Sequence, residues 1–283
     1  MIDDDFEADL TSPVLIAAFS GWNDAARAAS GVVEHLELSW DARPLASMDP
    51  QDYYDFQVNR PTVSLIDGVI RRMEWPTTHV SVCRPPRSDR DVLFVRGPEP
   101  NFHWAAYCED LLDVARQTGV EKVVLLGAMH MQTHYRSRVP VTGSAYDGPS
   151  ATRFGAEHTR YEGPAGITAV LHDACVRAGL PAVSFWAGVP YYLPWDAWVP
   201  ATLALLHRVE DVLDMPIPVG TLPEQADDAR SRAQAAIEAD PELSAHLEQI
   251  VEQPEDPLAD ASGDDLAEEF ERYLRRRSDE ADD

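Results

Sequence analysis

Residues 20–24, with the sequence SGWND, form a polar turn after the first long apolar run of the chain. The order predicts a strand, a sharp turn and a helix, and open α/β proteins bind ligands where a parallel strand ends and the next helix begins. Gly21 permits a tight backbone, Asn23 or Asp24 can cap the helix, and Trp22 places a large ring beside them. The turn is either a well-capped connection or one wall of a candidate cleft.

Ser20 is the hydroxyl of this turn, but it lacks the preceding glycine of the G-x-S-x-G nucleophile motif. Neither GxxxxGK[ST] nor GxGxxG occurs in the chain, so the phosphate-binding loops with the clearest mechanism are absent from the sequence. No catalytic residue is assigned.

Two carboxylates, Glu99 and Glu162, lie in turns rich in glycine and proline, beside Gly97 and Gly163. A pair of carboxylates can serve acid/base or metal chemistry. Acidic residues before a helix also stabilise its N-terminus. With residues 20–24 they complete the candidate cleft.

Metal binding is not expected. His130 and His134 have the i, i+4 spacing of zinc ligands on a helix, but they follow the apolar run 123–128, which predicts a strand, and no HExxH motif accompanies them. The three cysteines, Cys83, Cys108 and Cys175, are far apart in apolar patterns, which predicts reduced, buried thiols. We expect neither a metal nor a cofactor.

Arginines are concentrated at Arg84, Arg87, Arg90 and Arg96, near a pair of prolines. Their guanidinium groups could bind a carboxylate or phosphate ligand. Alternatively, they balance local aspartates or the acidic tail.

Aromatic residues are dense between 185 and 198, and a core strand accounts for only the first two of them. Tyrosine and tryptophan are common at subunit interfaces because they combine area with a polar group. Tyr191, Tyr192, Trp195 and Trp198 therefore predict an interface or a cleft wall, and with it self-association in two or three copies.

The formal net charge of the 283 residues is −26, which argues against nucleic acid and anionic membranes as partners. No apolar stretch approaches the roughly 20 residues that span a bilayer, and the N-terminal sequence is acidic, so we expect a cytoplasmic protein. Residues 221–283 hold 20 acidic residues and 6 arginines. This charge run forms a solvated surface or an acidic docking tail.

Hydrophobic patterning predicts alternating strands and helices. The order helix, glycine, strand occurs at 104–126 and again at 167–186, which is half of a parallel crossover unit. Asp67-Gly68 between two apolar runs predicts a hairpin. The α/β body is expected to occupy residues 1–220, and narrow apolar stripes, the last at 266–274, predict a helical appendage over 221–283.

Four blocks resemble, in order, the proteasome assembly chaperone 2 family, which also carries ATP-grasp-like labels. They are FSGWNDA at 19–25, RGPEP at 96–100 followed by Trp104, YEGPAGI at 161–167, and WAGVPYY at 186–192. The resemblance covers roughly residues 13 to 215.

The resemblance implies a three-layer α/β domain with a mixed, largely parallel sheet of the phosphorylase/hydrolase-like type. It also implies a non-enzymatic assembly factor that handles proteasome subunits. Because the same type of fold hosts nucleoside phosphorylases and hydrolases, a small-molecule enzyme is the alternative. Family members that dock on the proteasome use a C-terminal hydrophobic-tyrosine-any tail, whereas this sequence ends Asp279-Glu280-Ala281-Asp282-Asp283. We therefore do not expect docking by tail insertion.

Overall fold

The computed structural model describes residues 10–66, 70–86, 88–154, 163–193 and 197–251. Within them the strands are β1 (Val14–Ser20), β2 (Arg43–Ser47), β3 (Thr62–Ile66), β4 (Ile70–Glu74), β5 (His79–Cys83), β6 (Val92–Pro98), β7 (Lys122–Met131), β8 (Val141–Ala145) and β9 (Ala182–Pro190). The helices are α1 (Ala28–Ser39), α2 (Pro50–Tyr53), α3 (Trp104–Gln117), α4 (Gly148–Arg153), α5 (Ile167–Arg177), α6 (Val199–Leu213), α7 (Leu222–Glu238) and α8 (Pro241–Val251).

Seven strands form one sheet in the order β2-β5-β6-β1-β7-β9-β8. The four central strands β6, β1, β7 and β9 run parallel, while β2, β5 and β8 join antiparallel. The predicted mixed, largely parallel sheet is thus confirmed. The hairpin is confirmed as well, since β3 and β4 pair in a separate two-stranded sheet; Asp67 and Gly68 themselves lie outside the described residues.

Helices cover both faces of the large sheet, giving three layers. Alternate residues of β1 divide between two buried clusters: Ile16 belongs to the cluster that includes residues of α1, α6 and α7, and Leu15 to the cluster that includes residues of α3 and α5. Period-two burial on both faces explains why the central strands read as continuous apolar runs.

Several elements extend beyond their predicted ends. The predicted strand 123–128 continues to Met131, because its backbone pairs with β9 as far as Pro190. His130 therefore lies inside β7 and not in a loop. No sequence pattern indicated α2 and α4, two short helices whose N-caps, Asp49 and Asp147, each accept a backbone hydrogen bond.

The C-terminal helices pack on the body. Ala226, Ala229, Ala233 and Ile237 of α7 are buried, and the last three belong to the same cluster as α1 and α6. The third predicted stripe, 266–274, lies outside the described residues. None of the described helices has both the length and the apolar character needed to cross a bilayer.

Candidate functional site

The candidate site lies where β1 and β6 end, beside β7, at the carboxyl edge of the parallel strands. The backbone N–H of Glu99, just after β6, donates to the Ser20 carbonyl at 2.9 Å. The backbone N–H of Ala128 in β7 donates to the Asn23 carbonyl at 2.8 Å. The turn after β1 is thus fixed by hydrogen bonds to both neighbouring strands.

Asn23 and Glu99 form the centre of this arrangement. Asn23 is fully buried, and its Nδ2 donates to Glu99 Oε1 at 2.7 Å. The backbone N–H of Ile167, the first residue of α5, donates to the same oxygen at 2.7 Å. A carboxylate at this position satisfies a free amide and complements the helix dipole. Glu99 therefore joins the β1 turn to the N-terminus of α5.

Gly166 completes the contact on the other side of Asn23. A Cβ atom at Gly166 would lie 2.1 Å from Asn23 Oδ1, so only a hydrogen fits there. Asn23 Oδ1 is buried without a hydrogen-bond partner. Gly166 belongs to one of the family blocks, where a glycine is expected to mark a close approach, and its contact joins segments that are 143 residues apart.

Asp24 caps the first turn of α1 with its side chain, as predicted for Asn23 or Asp24, although it lies four residues before Ala28, the first residue of the helix. Its Oδ1 accepts from the backbone N–H groups of Ala29 at 2.7 Å and Ser30 at 3.2 Å. Burial raises the pKa of this carboxyl, and the hydrogen bonds from Ser30 and Ala29 act against that rise. The side chain is therefore an internal cap, with little exposure to solvent.

The backbone between Asp24 and α1 is unusual. Ala26 and Arg27 both have positive φ, 50° and 52°. The left-handed region costs a non-glycine residue roughly 1–2 kcal/mol. Gly21, at φ 117°, occupies a region that only glycine adopts readily. The tight turn expected at Gly21 is present, and a strained segment that the sequence did not indicate follows it.

The remaining members of the predicted cleft have different environments. Gly97 is buried, and a Cβ atom there would come within 2.7 Å of the Thr78 Cα. Ser20 and Trp22 are half-buried, and Gly163 is exposed. Glu162 lies outside the described residues.

A chain of buried hydroxyls lies behind the end of β6, where no sequence pattern indicated one. The Tyr54 and Tyr107 hydroxyls lie 2.7 Å and 2.6 Å from Thr78 Oγ1. The Tyr54 hydroxyl also donates to the Pro98 carbonyl at 3.0 Å. Burial raises the pKa of Tyr107 well above its ordinary value, so the phenol is neutral. These bonds fix the β6 end against α3.

The aromatic group does not form a single surface. Trp198 is 1% exposed and packs in the core cluster of α1 and α6, so its ring contacts this chain and is not available to a partner. Tyr191 and Tyr192 are half-buried, and the Tyr192 hydroxyl accepts from the Tyr135 backbone N–H at 2.8 Å. Trp195 lies outside the described residues.

The arginines pair with local acids. Arg84 donates to Asp91 at 2.6 Å, which lowers the pKa of that carboxyl, although burial opposes the shift. Arg96 contacts Glu34 at 3.3 Å and Glu37 at 3.1 Å. Arg87 lies outside the described residues. For Arg84 and Arg96, balance of local acids is the interpretation that the structure supports.

The cysteines Cys83, Cys108 and Cys175 are free and buried, as predicted. Burial raises the pKa of Cys108 to about 11, which keeps its thiol protonated. Among the described residues, histidine, cysteine and acidic side chains form no group of three that could hold a metal ion.

The arrangement thus uses its polar groups internally. Asn23, Asp24 and Glu99 each bond to a backbone or side chain of this chain, and two of them cap helices. An active site instead directs several polar groups into one open concavity.

Comparison with known proteins identifies a family to which most of this chain is similar. The family model described as "PAC2 family" matches residues 18–237. No curated protein matches the chain.

Two actinobacterial structures are similar in sequence and fold. The Mycobacterium tuberculosis proteasome-assembly chaperone homologue Rv2125 is 48% identical, with a TM-score of 0.77, and the match covers 83% of this chain and 99% of that chain. A PAC2 family protein from Streptomyces avermitilis is 46% identical, with a TM-score of 0.78 and coverage of 82% and 98%. Pyrococcus furiosus PbaB, an archaeal proteasome activator, shares the fold at 14% identity, with a TM-score of 0.68 and coverage of 83% and 98%.

Proposed function

Because this chain belongs to the PAC2 family, we propose that it is a non-enzymatic assembly factor or scaffold that handles proteasome subunits in the cytoplasm. We further propose that it acts as a homo-oligomer. The similar actinobacterial chain is described as a homologue of a proteasome-assembly chaperone, and that description motivates the choice of partner.

The observation that carries the proposal is that Asn23, Asp24 and Glu99 form hydrogen bonds with other segments of this same chain. An assembly factor acts through its surface. The polar residues of its family motif therefore need not bind a substrate and can stabilise the fold. In a catalytic site, the same residues would direct hydrogen-bonding groups into an open concavity, whereas Asn23 and Asp24 are buried. Here Glu99 Oε1 is taken by Asn23 Nδ2 and the Ile167 N–H.

Affinity purification from the native host tests the partner. We expect proteasome subunits to co-purify with the tagged chain above their level with a control protein. The control must be a similarly acidic protein, because a charge of −26 attracts basic proteins without specificity. Enrichment should persist after a wash at high salt, which screens such contacts. Equal recovery of proteasome subunits with both baits would contradict the proposal.

The enzyme alternative predicts a different result in a thermal unfolding assay with nucleosides, nucleotides and phosphate. A ligand at 100 times its dissociation constant stabilises a protein by about 2.7 kcal/mol. We expect no shift for any of these compounds. A reproducible shift that Glu99→Gln abolishes, in a protein that still folds, would favour the enzyme.

A further inference from the structure

Lys122 is the only lysine among the 283 residues, and it takes no part in the candidate site. It is the first residue of β7, so it lies at the amino edge of the parallel strands, opposite to the edge that carries the candidate site. Its partner in β1 is Val14, and Val14 pairs on its other side with Val92 of β6. Lys122 is therefore close to the segments that lead into β1 and β6.

Two arginines, Arg90 and Arg153, lie close enough to Lys122 for their charges to act on it. Arg90 comes two residues before β6, and Arg153 is the last residue of α4. Lys122 Nζ is 5.0 Å from the centre of the Phe154 ring, and the guanidinium carbon of Arg153 is 5.2 Å from the same centre. Phe154 is buried, and an aromatic ring attracts cations within about 6 Å of its centre. We call Lys122, Arg90 and Arg153 the lysine cluster.

The lysine cluster is not balanced by acids. Within the described part of the chain, none of its three side chains forms an ion pair, whereas Arg84 pairs with Asp91 at 2.6 Å. The whole sequence has 49 acidic residues against 23 lysines and arginines, so acids are abundant elsewhere. Like charges repel, and a cluster that keeps this repulsion in so acidic a protein indicates a functional role.

The surroundings of Lys122 make its amine a better nucleophile. Burial lowers the pKa of Lys122, and the charges of Arg153 and Arg90 lower it further, while the charge of Glu121 acts in the opposite direction. The neutral amine is the nucleophilic form, and desolvation and a neighbouring cation both activate a lysine in this way. Lys122 is half-buried, so a small reagent can reach its Nζ from solvent.

The two arginines indicate which class of reagent fits. Arg90 and Arg153 are exposed, and guanidinium groups bind phosphate oxygens in a bidentate manner. A local positive field also raises the rate at which an anion arrives, without the need for a stable complex. An acyl phosphate offers an electrophilic carbonyl carbon to Lys122 and an anionic group to the arginines.

We propose that Lys122 is a modification site that accepts an acyl group from a small acyl phosphate. The neutral Nζ attacks the carbonyl carbon, and the C–N bond forms. The bond from that carbon to the bridging oxygen breaks, phosphate leaves with the electron pair, and the surplus proton on Nζ passes to water. The amide product is uncharged, so it relieves the repulsion within the lysine cluster and removes the cation–π contact of Lys122 with Phe154. This inference goes beyond the proposed function and does not depend on it.

Incubation of the purified full chain with acetyl phosphate at neutral pH tests the proposal. Mass spectrometry of peptides gives the acetylation rate of Lys122, with the N-terminal amino group as the internal reference. The double variant Arg90→Gln/Arg153→Gln should acetylate Lys122 at least about threefold more slowly, with no change at the reference amine. Arg136→Gln is the matched control, since Arg136 is also exposed and lies 5.2 Å from the centre of the Tyr135 ring, but follows the far end of β7.

Three results of this experiment would each overturn the proposal. They are an unmodified Lys122 beside an acetylated N-terminus, an unchanged rate in the double variant, and an equal loss of rate in Arg136→Gln. All three arginines are exposed, so the variants should stay folded, and circular dichroism checks this.

A pH profile separates the folded environment of Lys122 from its local sequence. The comparison is a peptide of residues 117–124, which holds Lys122 and Glu121 but neither arginine of the cluster. The acetylation rate should rise with pH and level off at a lower pH in the folded chain than in the peptide, because the pKa of Lys122 is lowered only in the folded chain. Identical profiles would contradict the proposal. Co-purification of proteasome subunits tests the proposed function separately, whatever these profiles show.

Discussion

At the scale of single residues, the polar side chains of the family motif form hydrogen bonds that hold the backbone of the β1 turn and of two helix ends. Glu99 Oε1 receives two donors, Asn23 Nδ2 and the Ile167 N–H, each at 2.7 Å. Asp24 receives two helix amides. These carboxylates replace hydrogen bonds that the ends of α1 and α5 lack within their own helices.

Removing the α1 cap should destabilise the fold. Asp24→Ala leaves the amides of Ala29 and Ser30 without their acceptor, and loss of an N-cap typically costs about 1 kcal/mol. Urea unfolding measures the free-energy difference. Asp24→Asn is the control, because its amide oxygen can still accept, and it should lose less than Asp24→Ala. Equal stability of Asp24→Ala and the unmodified chain would contradict the capping role.

The contact between Gly166 and Asn23 gives a second prediction. Gly166→Ala places a Cβ atom 2.1 Å from Asn23 Oδ1, and such overpacking should cost about 1–3 kcal/mol. Adding Asn23→Ala should remove part of that cost, so the two substitutions should not be additive in a double-mutant cycle. Gly148→Ala is the control, because nothing lies within 4 Å of the position that its Cβ atom would take. Additive costs at Gly166 and Asn23 would show that the clash is absent.

His172 on α5 gives a prediction for pH dependence. Burial lowers its pKa from the ordinary value of 6.5, so the folded chain holds the ring neutral. Below about pH 6.5 the unfolded chain takes up a proton that the folded chain does not. The free energy of unfolding therefore decreases as the pH is lowered. His172→Gln should reduce this fall between pH 8 and pH 5, with pH 8 as the baseline for each protein. An identical fall in the variant would exclude the contribution of His172.

At the scale of elements, the central strands were predictable because they are buried on both faces. The continuous apolar run 14–19 is typical of an internal strand of an α/β sheet. Strand ends were less predictable, since the extension of β7 through His130 depends on its pairing with β9. Of the candidate site, the Asp24 cap was local and was predicted. The sequence also predicted that Glu99 lies near residues 20–24, but not the hydrogen bond from Asn23 to Glu99. The contacts of Tyr54 and Tyr107 with Thr78 join distant segments and left no pattern in the sequence.

The helix α7 is expected to be part of the stable body. Ile237 is 5% exposed and packs in the core cluster shared with α1 and α6. Ile237→Ala should therefore cost about 2–4 kcal/mol in urea unfolding. Gln234→Ala, an exposed position one turn earlier in α7, should change stability by less than about 0.5 kcal/mol. A loss of less than about 0.5 kcal/mol for Ile237→Ala would show that α7 folds independently of the body.

At the scale of the whole molecule, the surface combines a charge of −26 with one concentrated set of exposed apolar side chains. The acidic surface limits non-specific association, and the exposed apolar side chains of the β3–β4 hairpin, Val63, Leu65 and Met73, offer apolar area for a specific contact. Asn23 and Asp24 of the motif are buried and Glu99 is half-buried, and the hydrogen bonds of Asn23 and Glu99 hold three segments together. This division fits a protein that acts through contacts with other chains.

The most direct test of that role is a time course of proteasome assembly from purified host subunits, followed on native gels with and without this protein. We expect faster formation of the assembled particle, or a higher yield, when the chain is present. An acidic control protein at the same concentration should have no effect. An unchanged rate and yield, with folded protein and competent subunits, would contradict the proposal that this chain is a proteasome assembly factor.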